Sequence, residues 1–246
     1  MPTLRFGKHP RKNDYRTLRL KNYLTPALPS PPVAYSVLPS LYEHLHTSDP
    51  ATLFPLDGND VLGDCTIAAL AHAVTTFSGK IGHRNIMPEA AVVKLYYHLT
   101  GGVDSGLAEL DVLNYWQSHA VSEDRILAYV ALDVKSHAHV RQAIQLFGGV
   151  YLGFQVQEDC IEDFDARKPW TPGPLTSDGH AVYAVGYDSA ELTLLTWGNT
   201  QQATWAWWDE CVDEAYAVLP PEAKQKDFDP GFDFEQLMAD LKSVAH

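Results

Sequence analysis

Two side chains far apart in the chain could share a proton: Cys65, in GNDVLGDCTIAALAHAV, and His180, in SDGHAVYAVGYD. Only a thiolate attacks carbonyl carbon at useful rates, and an imidazole that takes and returns its proton completes a nucleophilic pair. Cys65 opens a segment in which Ile67, Leu70, Val74 and Phe77 recur at helical spacing. A cysteine in the first turn of a helix sits at the positive end of the helix dipole, which favours the thiolate. Gly63 lets the backbone turn sharply and lets a substrate approach. Taken singly these signals are weak, because a cysteine at a helix start is more often a small buried hydrophobe. A lone histidine entering a strand is, in the same way, more often packed or solvated than chemical.

The elements that must position the pair follow from periodicity. Asp64 suits the N-cap of the cysteine helix and Gly79 its end. Further helices are predicted over 88–99, with Pro88 in the first turn, over LAELDVLNYWQSHA, where Leu110, Leu113 and Trp116 recur, and over 136–147, ending at Gly148-Gly149. The period then changes. VYLGFQV, HAVYAVGYD, LTLLTWG and AYAVLP read as strands, the middle two joined as a hairpin through 188–191. Asp233 and Gln236 make a capping-box pattern before a C-terminal amphipathic helix. Helices first and strands afterwards predict an α+β protein of two lobes. Residues 1–54 read as an extended segment, basic and then proline-rich. Residues 55–220 read as the body, and 221–246 as a tail that carries the last helix. The acidic run 158–165 reads as a solvated loop. The cluster Trp205, Trp207 and Trp208 reads as helix packing beneath the sheet.

Composition limits the function classes. At 246 residues and 46% hydrophobic, the chain can bury a sizeable core. It has no apolar run long enough to span a membrane and no secretory pattern at its start, so a cytoplasmic protein with no membrane partner is expected. Three cysteines allow at most one bridge. A net charge of −13 disfavours nucleic acid as a partner. The charge is uneven: Arg5, Lys8, Arg11, Lys12, Arg16, Arg19 and Lys21 face only Asp14 in the first 23 residues. Such a basic arm could lie across the acidic body, covering a cleft as a propeptide does, bind an external anion, or trail as a solvated tail. His44 and His46 lack companions at metal-ligand spacing, so neither metal nor cofactor is expected.

Read together, the cysteine and histidine stretches resemble the papain-like cysteine peptidases, as a divergent, intracellular or phage-type member. In that family a side-chain amide lies six residues before the cysteine and a glycine two before it. Those places hold Asn59 and Gly63 here. GHAVYAVGYD is similar to the family's histidine segment almost throughout, and Thr196–Gly198 to its Ser-Trp-Gly. GVDSGLAELDVLNYW falls where the family has a glycine pair and a helix beside the cleft. The resemblance spans roughly 55 to 218. It implies a two-lobe fold, helical lobe then antiparallel sheet, and an amide hydrolase acting on peptide or protein substrates through an acyl-enzyme. Cys65, His180 and Asn59 would be catalytic, and Ser105, Gly106, Gly63, Gly179 and Trp197 would bind substrate. The family's first cysteine of its Cys-Gly-Ser-Cys run is replaced by Leu62, and its imidazole-orienting asparagine by Leu195. Thr196, Asn199 and Asp178 are the alternatives for orienting His180. The substitution at Leu195 also motivates a catalytically inactive binding protein, and Cys–His acyl transfer or deamidation is a third class.

Overall fold

The computed structural model describes residues 4–123, 125–228 and 230–244. After an arm with one 3-10 turn at Leu20–Asn22, strand β1 (Tyr35–Ser36) leads into helices α1 (Leu38–Leu45), α2 (Pro50–Leu53), α3 (Cys65–Lys80), α4 (Glu89–Leu99) and α5 (Glu109–Ser118). Next come β2 (Ala128–Ala131), α6 (His137–Phe147), β3 (Val150–Gln157), α7 (Cys160–Asp165), β4 (Leu175–Tyr187), β5 (Glu191–Thr196) and β6 (Asn199–Thr204). Helix α8 (Trp205–Cys211), β7 (Val212–Leu219) and α9 (Phe234–Val244) complete the chain. The sheet runs β2-β7-β3-β4-β5-β6 with antiparallel neighbours, and β1 pairs with the far end of β4. The α+β architecture expected from the sequence is the one observed.

Each strand alternates its side chains between two faces, and the core divides accordingly. Leu152, Phe154, Val182, Ala184, Leu192, Leu194, Ala215 and Ala217 meet α6, α8 and α9 on one side. Tyr151, Ala181, Tyr183, Val185, Leu195, Tyr216 and Val218 meet α1, α3, α4 and α5 on the other. Helix α3 is buried along nearly its whole length, from Cys65 to Thr76. It lies against β4, and the Tyr151 hydroxyl donates to the Thr66 carbonyl at 2.9 Å, fixing the helix start to β3.

Several expectations need correction. The segment read as extended over 1–54 contains α1 and α2. Its prolines sit in first turns, where no amide hydrogen is missed: Pro39 near the start of α1, and Pro50 after Asp49, whose carboxylate accepts from the Ala51 amide at 3.2 Å. Leu38, Leu41 and Leu45 are buried at helical spacing. The acidic run 158–165 is not a loop. It forms α7, pinned where the Trp170 indole donates to the Cys160 carbonyl at 2.9 Å. Asp64 precedes α3 but makes no capping hydrogen bond. At the C-terminus the capping box is half formed. Asp233 accepts from the Gln236 amide at 2.9 Å, while the Gln236 side chain turns instead to Asp240.

Gly149, at the entry to β3, is a packing requirement. A Cβ there would lie 2.3 Å from the Tyr183 ring, which is fully buried on the helical face of β4. Gly149→Ala should therefore destabilise the protein by about 1–3 kcal/mol through overpacking. Urea unfolding at neutral pH measures it, and an unchanged midpoint would show that the ring has room to move.

Candidate active site

Cys65 is the first residue of α3 and is 1% exposed, and His180 lies on β4 and is 0% exposed. Helix α3 packs on β4, the strand that carries the imidazole. The backbone of Ala181, next to His180, hydrogen-bonds toward the Cys65 thiol, as does the backbone of Gly7 from the arm. The His180 Nε2 is 2.9 Å from the Thr196 hydroxyl. Its Nδ1 is buried without a hydrogen-bond partner. The ring stacks on Trp197 (centroids 4.4 Å, 25°) and meets the edges of Phe154 (5.6 Å) and Phe6 (5.5 Å).

Strand parity explains the orienting partner. Tyr183 pairs with Leu195, and both point to the helical face. His180 shares the opposite face with Val182, so the residue across the hairpin that can reach it is the next one, Thr196. Of the three alternatives read from the sequence, Thr196 is the one within hydrogen-bond distance. A hydroxyl both donates and accepts, so it fixes the ring tautomer less firmly than an amide oxygen does.

Asn59 is buried. Its Oδ1 accepts from the Trp197 indole at 2.7 Å, and its Nδ2 donates to the carbonyls of Leu62 (3.0 Å) and Arg5 (3.2 Å). Trp197 itself adopts a left-handed backbone, φ 47°, at the turn between β5 and β6. Gly63 donates its amide to Asp104 at 3.0 Å, and Tyr96 bridges Asp104 (2.6 Å) and the Gly106 amide (2.8 Å). These bonds hold the 104–106 loop beside the cysteine turn.

Residues 6–9 of the arm fill the cleft so formed. The Gly7 and Lys8 amides donate to the Gly179 carbonyl at 3.2 and 3.0 Å. Leu107 donates to the Gly7 carbonyl at 2.9 Å, and His9 donates to the Leu107 carbonyl at 2.9 Å. The His9 Nε2 bonds the Ser105 carbonyl. A Cβ on Gly7 would overlap the Gly63 carbonyl at 1.9 Å, and one on Gly106 the Gly7 carbonyl at 2.1 Å. Gly63, Ser105, Gly106 and Gly179 thus all border one groove, and each touches the arm. The basic arm lies across the acidic body, with Lys12 on Asp111 at 2.6 Å and Arg11 on the Asp213 carbonyl at 3.2 Å. The arm that the sequence offered as a possible cleft cover, Lys8 included, does lie in the groove. Phe6, Gly7, Glu109 and Glu214 were not singled out from the sequence.

Burial controls the ionisation. It pushes the Cys65 thiol up to about 12, with the Ala181 and Gly7 backbone groups pulling partly back. It pushes His180 down to about 3 and Asp64 up to about 7. The helix-dipole expectation of a thiolate is therefore overridden while the arm is in place: desolvation outweighs the dipole, and both partners are neutral. Cys160 and Cys211 are also free, buried and raised by desolvation. Among the described residues no group of three or more His, Cys, Asp or Glu side chains could hold a metal ion. No described helix is long and apolar enough to cross a membrane.

No protein-family model matches the sequence, and no curated protein matches it. Solved structures match the fold. Xylellain, a cysteine protease from Xylella fastidiosa, aligns with a TM-score of 0.65 at 16% identity, over 87% of this chain and 96% of that one. The digestive procathepsin L 3 of Tenebrio molitor larval midgut aligns with a TM-score of 0.59 at 11% identity, over 83% and 76%. The fold is papain-like. The cysteine protease and lectin-like domains of the surface-layer-associated protein Cwp84 of Clostridium difficile align at 0.58 and 14% identity, covering 89% of this chain and 57% of that one. Helix α3, the longest described helix, packs on β4.

The His180 shift has a definite sign. An imidazole held near 3 in the folded protein and near 6.5 when unfolded contributes stability that is fully present above pH 6.5 and is lost as pH falls toward 3. Histidine-resolved NMR titration of the whole chain should show the His180 ring neutral from pH 8 to 5. A His180 midpoint above 5 would contradict the dry, arm-covered site.

Proposed function

We propose that this chain is a cysteine-dependent amide hydrolase, acting on peptide or protein substrates, and held latent by its own arm. The observation that supports the reading is a helix-start thiol bonded by the backbone of Ala181, the neighbour of an imidazole whose Nε2 is held by Thr196. With Nε2–H donated to the hydroxyl, Nδ1 keeps a lone pair and is the nitrogen free to take the Cys65 proton. The thiolate attacks the substrate carbonyl, forming the carbon–sulfur bond. The Cys65 backbone N–H and the Asn59 amide stabilise the oxyanion. His180 gives its proton to the leaving amine and then takes one from water, which hydrolyses the thioester and returns the thiol.

The arm accounts for the unfavourable ionisation. Phe6 covers His180, and Gly7 sits on the thiol and Gly63. One Asn59 N–H is occupied by the arm's Arg5 carbonyl and becomes available once the arm lifts. Water then reaches the groove, the desolvation that raises the thiol weakens, and the helix dipole can act on the thiolate. Latency is favoured over an inactive binding protein because the arm that buries the pair also occupies the groove beside it. Trp197 shields the imidazole. Ser105, Gly106, Gly63 and Gly179 supply the backbone surface along which a substrate chain lies.

Hydrolysis of a broad peptide library tests the reading. The intact chain should be slow, and Phe6→Ala should raise both the rate and the iodoacetamide labelling of Cys65 relative to Cys160 and Cys211. Cys65→Ala should abolish turnover with folding intact. Thr196→Val should lower kcat by about 10–100-fold while leaving KM nearly unchanged. Turnover that survives Cys65→Ala would sink the thiol mechanism.

A further inference from the structure

Lys8 does something a covering strap does not need to do. Its ammonium enters the interior between the two lobes, where the side chain is 1% exposed. There it meets Asp213 at 2.9 Å and Glu214 at 3.0 Å. The Glu214 carboxylate is itself 1% exposed and accepts from the Tyr216 hydroxyl at 2.8 Å. Glu109, at the start of α5, is 0% exposed, and neither of its carboxylate oxygens has a hydrogen-bond partner. Burial alone would lower the lysine; Glu109, Glu214 and Asp213 together outweigh it and hold the ammonium above its ordinary value. Burial raises Glu109 well above the usual carboxylate range, Glu214 adds to that, and Lys8 opposes it.

The room for the lysine stem comes from Gly153. This residue faces Glu214 across the β3–β7 pairing, and a Cβ on it would overlap the Lys8 Cε at 1.8 Å. The neighbour of Lys8, Gly7, lies on Gly63 and the Cys65 thiol. A slot floored by Gly153 and closed by three acids therefore opens one residue away from the reacting sulfur.

We propose that this slot, made by Glu109, Gly153, Asp213 and Glu214, is a specificity pocket for a lysine or arginine side chain of the substrate, and that Lys8 is its resident occupant in the latent protein. The assignment rests on the Cys65–His180 reading, since that pair is what makes the adjoining slot a substrate site. Two features separate the slot from an ordinary buried ion pair. It is filled by a residue of the segment that also blocks the groove, and it holds more carboxylates than a single ammonium pairs. Once the arm lifts, buried acids without a cation are costly, and an incoming basic side chain relieves them. A neutral side chain leaves them unpaired, and an acidic one is repelled.

Binding tests the pocket without requiring turnover. The full chain carrying Lys8→Ala and Cys65→Ala is titrated with a fluorescent peptide of the arm sequence Arg-Phe-Gly-Lys-His-Pro, and with versions in which methionine or glutamate replaces the lysine. The lysine peptide should bind at least tenfold tighter than the methionine peptide, and the glutamate peptide weakest. Adding Glu214→Gln should remove most of that preference. Equal affinity for the lysine and methionine peptides, no binding of the lysine peptide at millimolar concentration, or a preference that survives Glu214→Gln would each overturn the assignment. Should Lys8→Ala not fold, Lys8→Arg and Lys8→Met in the otherwise intact chain keep the volume filled. Hydrogen exchange of the residue 7–9 amides should stay slow with arginine and speed up at least tenfold with methionine, and equal protection in the two would overturn the assignment. Loss of hydrolysis with binding preference intact would strike the peptidase reading, and loss of preference with hydrolysis intact would strike the pocket.

Discussion

The pleat of β4 is the constraint on which the rest depends. Successive residues of a strand face opposite sides, and here both sides are occupied. Ala181, Tyr183 and Val185 bear on the helical layer that begins with Cys65, while Val182 and Ala184 bear on the aromatic layer beneath, on the face His180 shares. A one-residue slip would exchange these sets and take the imidazole away from Thr196. The register is held by long pairing with β3, from Val150–Ala184 through Gln155–Gly179, and by the shorter pairing with β5. The histidine's place is thus a consequence of core packing along the whole strand.

Burial then sets the chemistry. The same aromatic enclosure that orients His180 removes the water that its charged form needs, and the thiol suffers likewise. A dipole at a helix start contributes on the order of 1 kcal/mol, too little to ionise a fully buried sulfur. The arm is the movable part of that enclosure. Phe6 supplies one wall of the histidine box, and Phe154 and Trp197, set in the body, supply the others. Lifting the arm opens one side of the box and leaves the Thr196 hydrogen bond standing.

Much of this was legible in the sequence because it depends on local periodicity. Helices α3 to α6 and strands β3, β4, β5 and β7 follow apolar spacing, and the cysteine and histidine segments carry their own turn chemistry, whereas β2 and the polar β6 were not read from the sequence. What was hidden depends on tertiary position. Leu195 and Thr196 are adjacent in sequence and on opposite faces in space, so the partner of His180 could be narrowed to three candidates but not chosen. Glu109 sits in a first helical turn, where an acid ordinarily faces water and complements the dipole; only the approach of Lys8 and Glu214 shows that it is internal. Pro39 and Pro50 read as extended chain because a proline forbids only the interior of a helix, and both sit at its start. Asp64 looked like a cap by type, but its carboxylate is buried and makes no capping bond.

The charge asymmetry of the chain gains a physical meaning from the groove. An acidic body that carried the same carboxylates only on its surface would attract the arm weakly, since exposed ion pairs contribute about 0–1 kcal/mol and are screened by salt. Lys12 on Asp111 is of that kind. Lys8 differs because Glu214 and Glu109 are out of water, though Asp213 is partly exposed, and breaking a buried pair by removing one member costs about 3–5 kcal/mol. The arm is therefore held at one buried point and guided by several weak ones. Anything that removes it must put another cation in the slot or protonate the acids that line it. Selectivity for what enters the groove and resistance to losing the arm are then two readings of one electrostatic demand, and a change in those acids that weakens one must weaken the other.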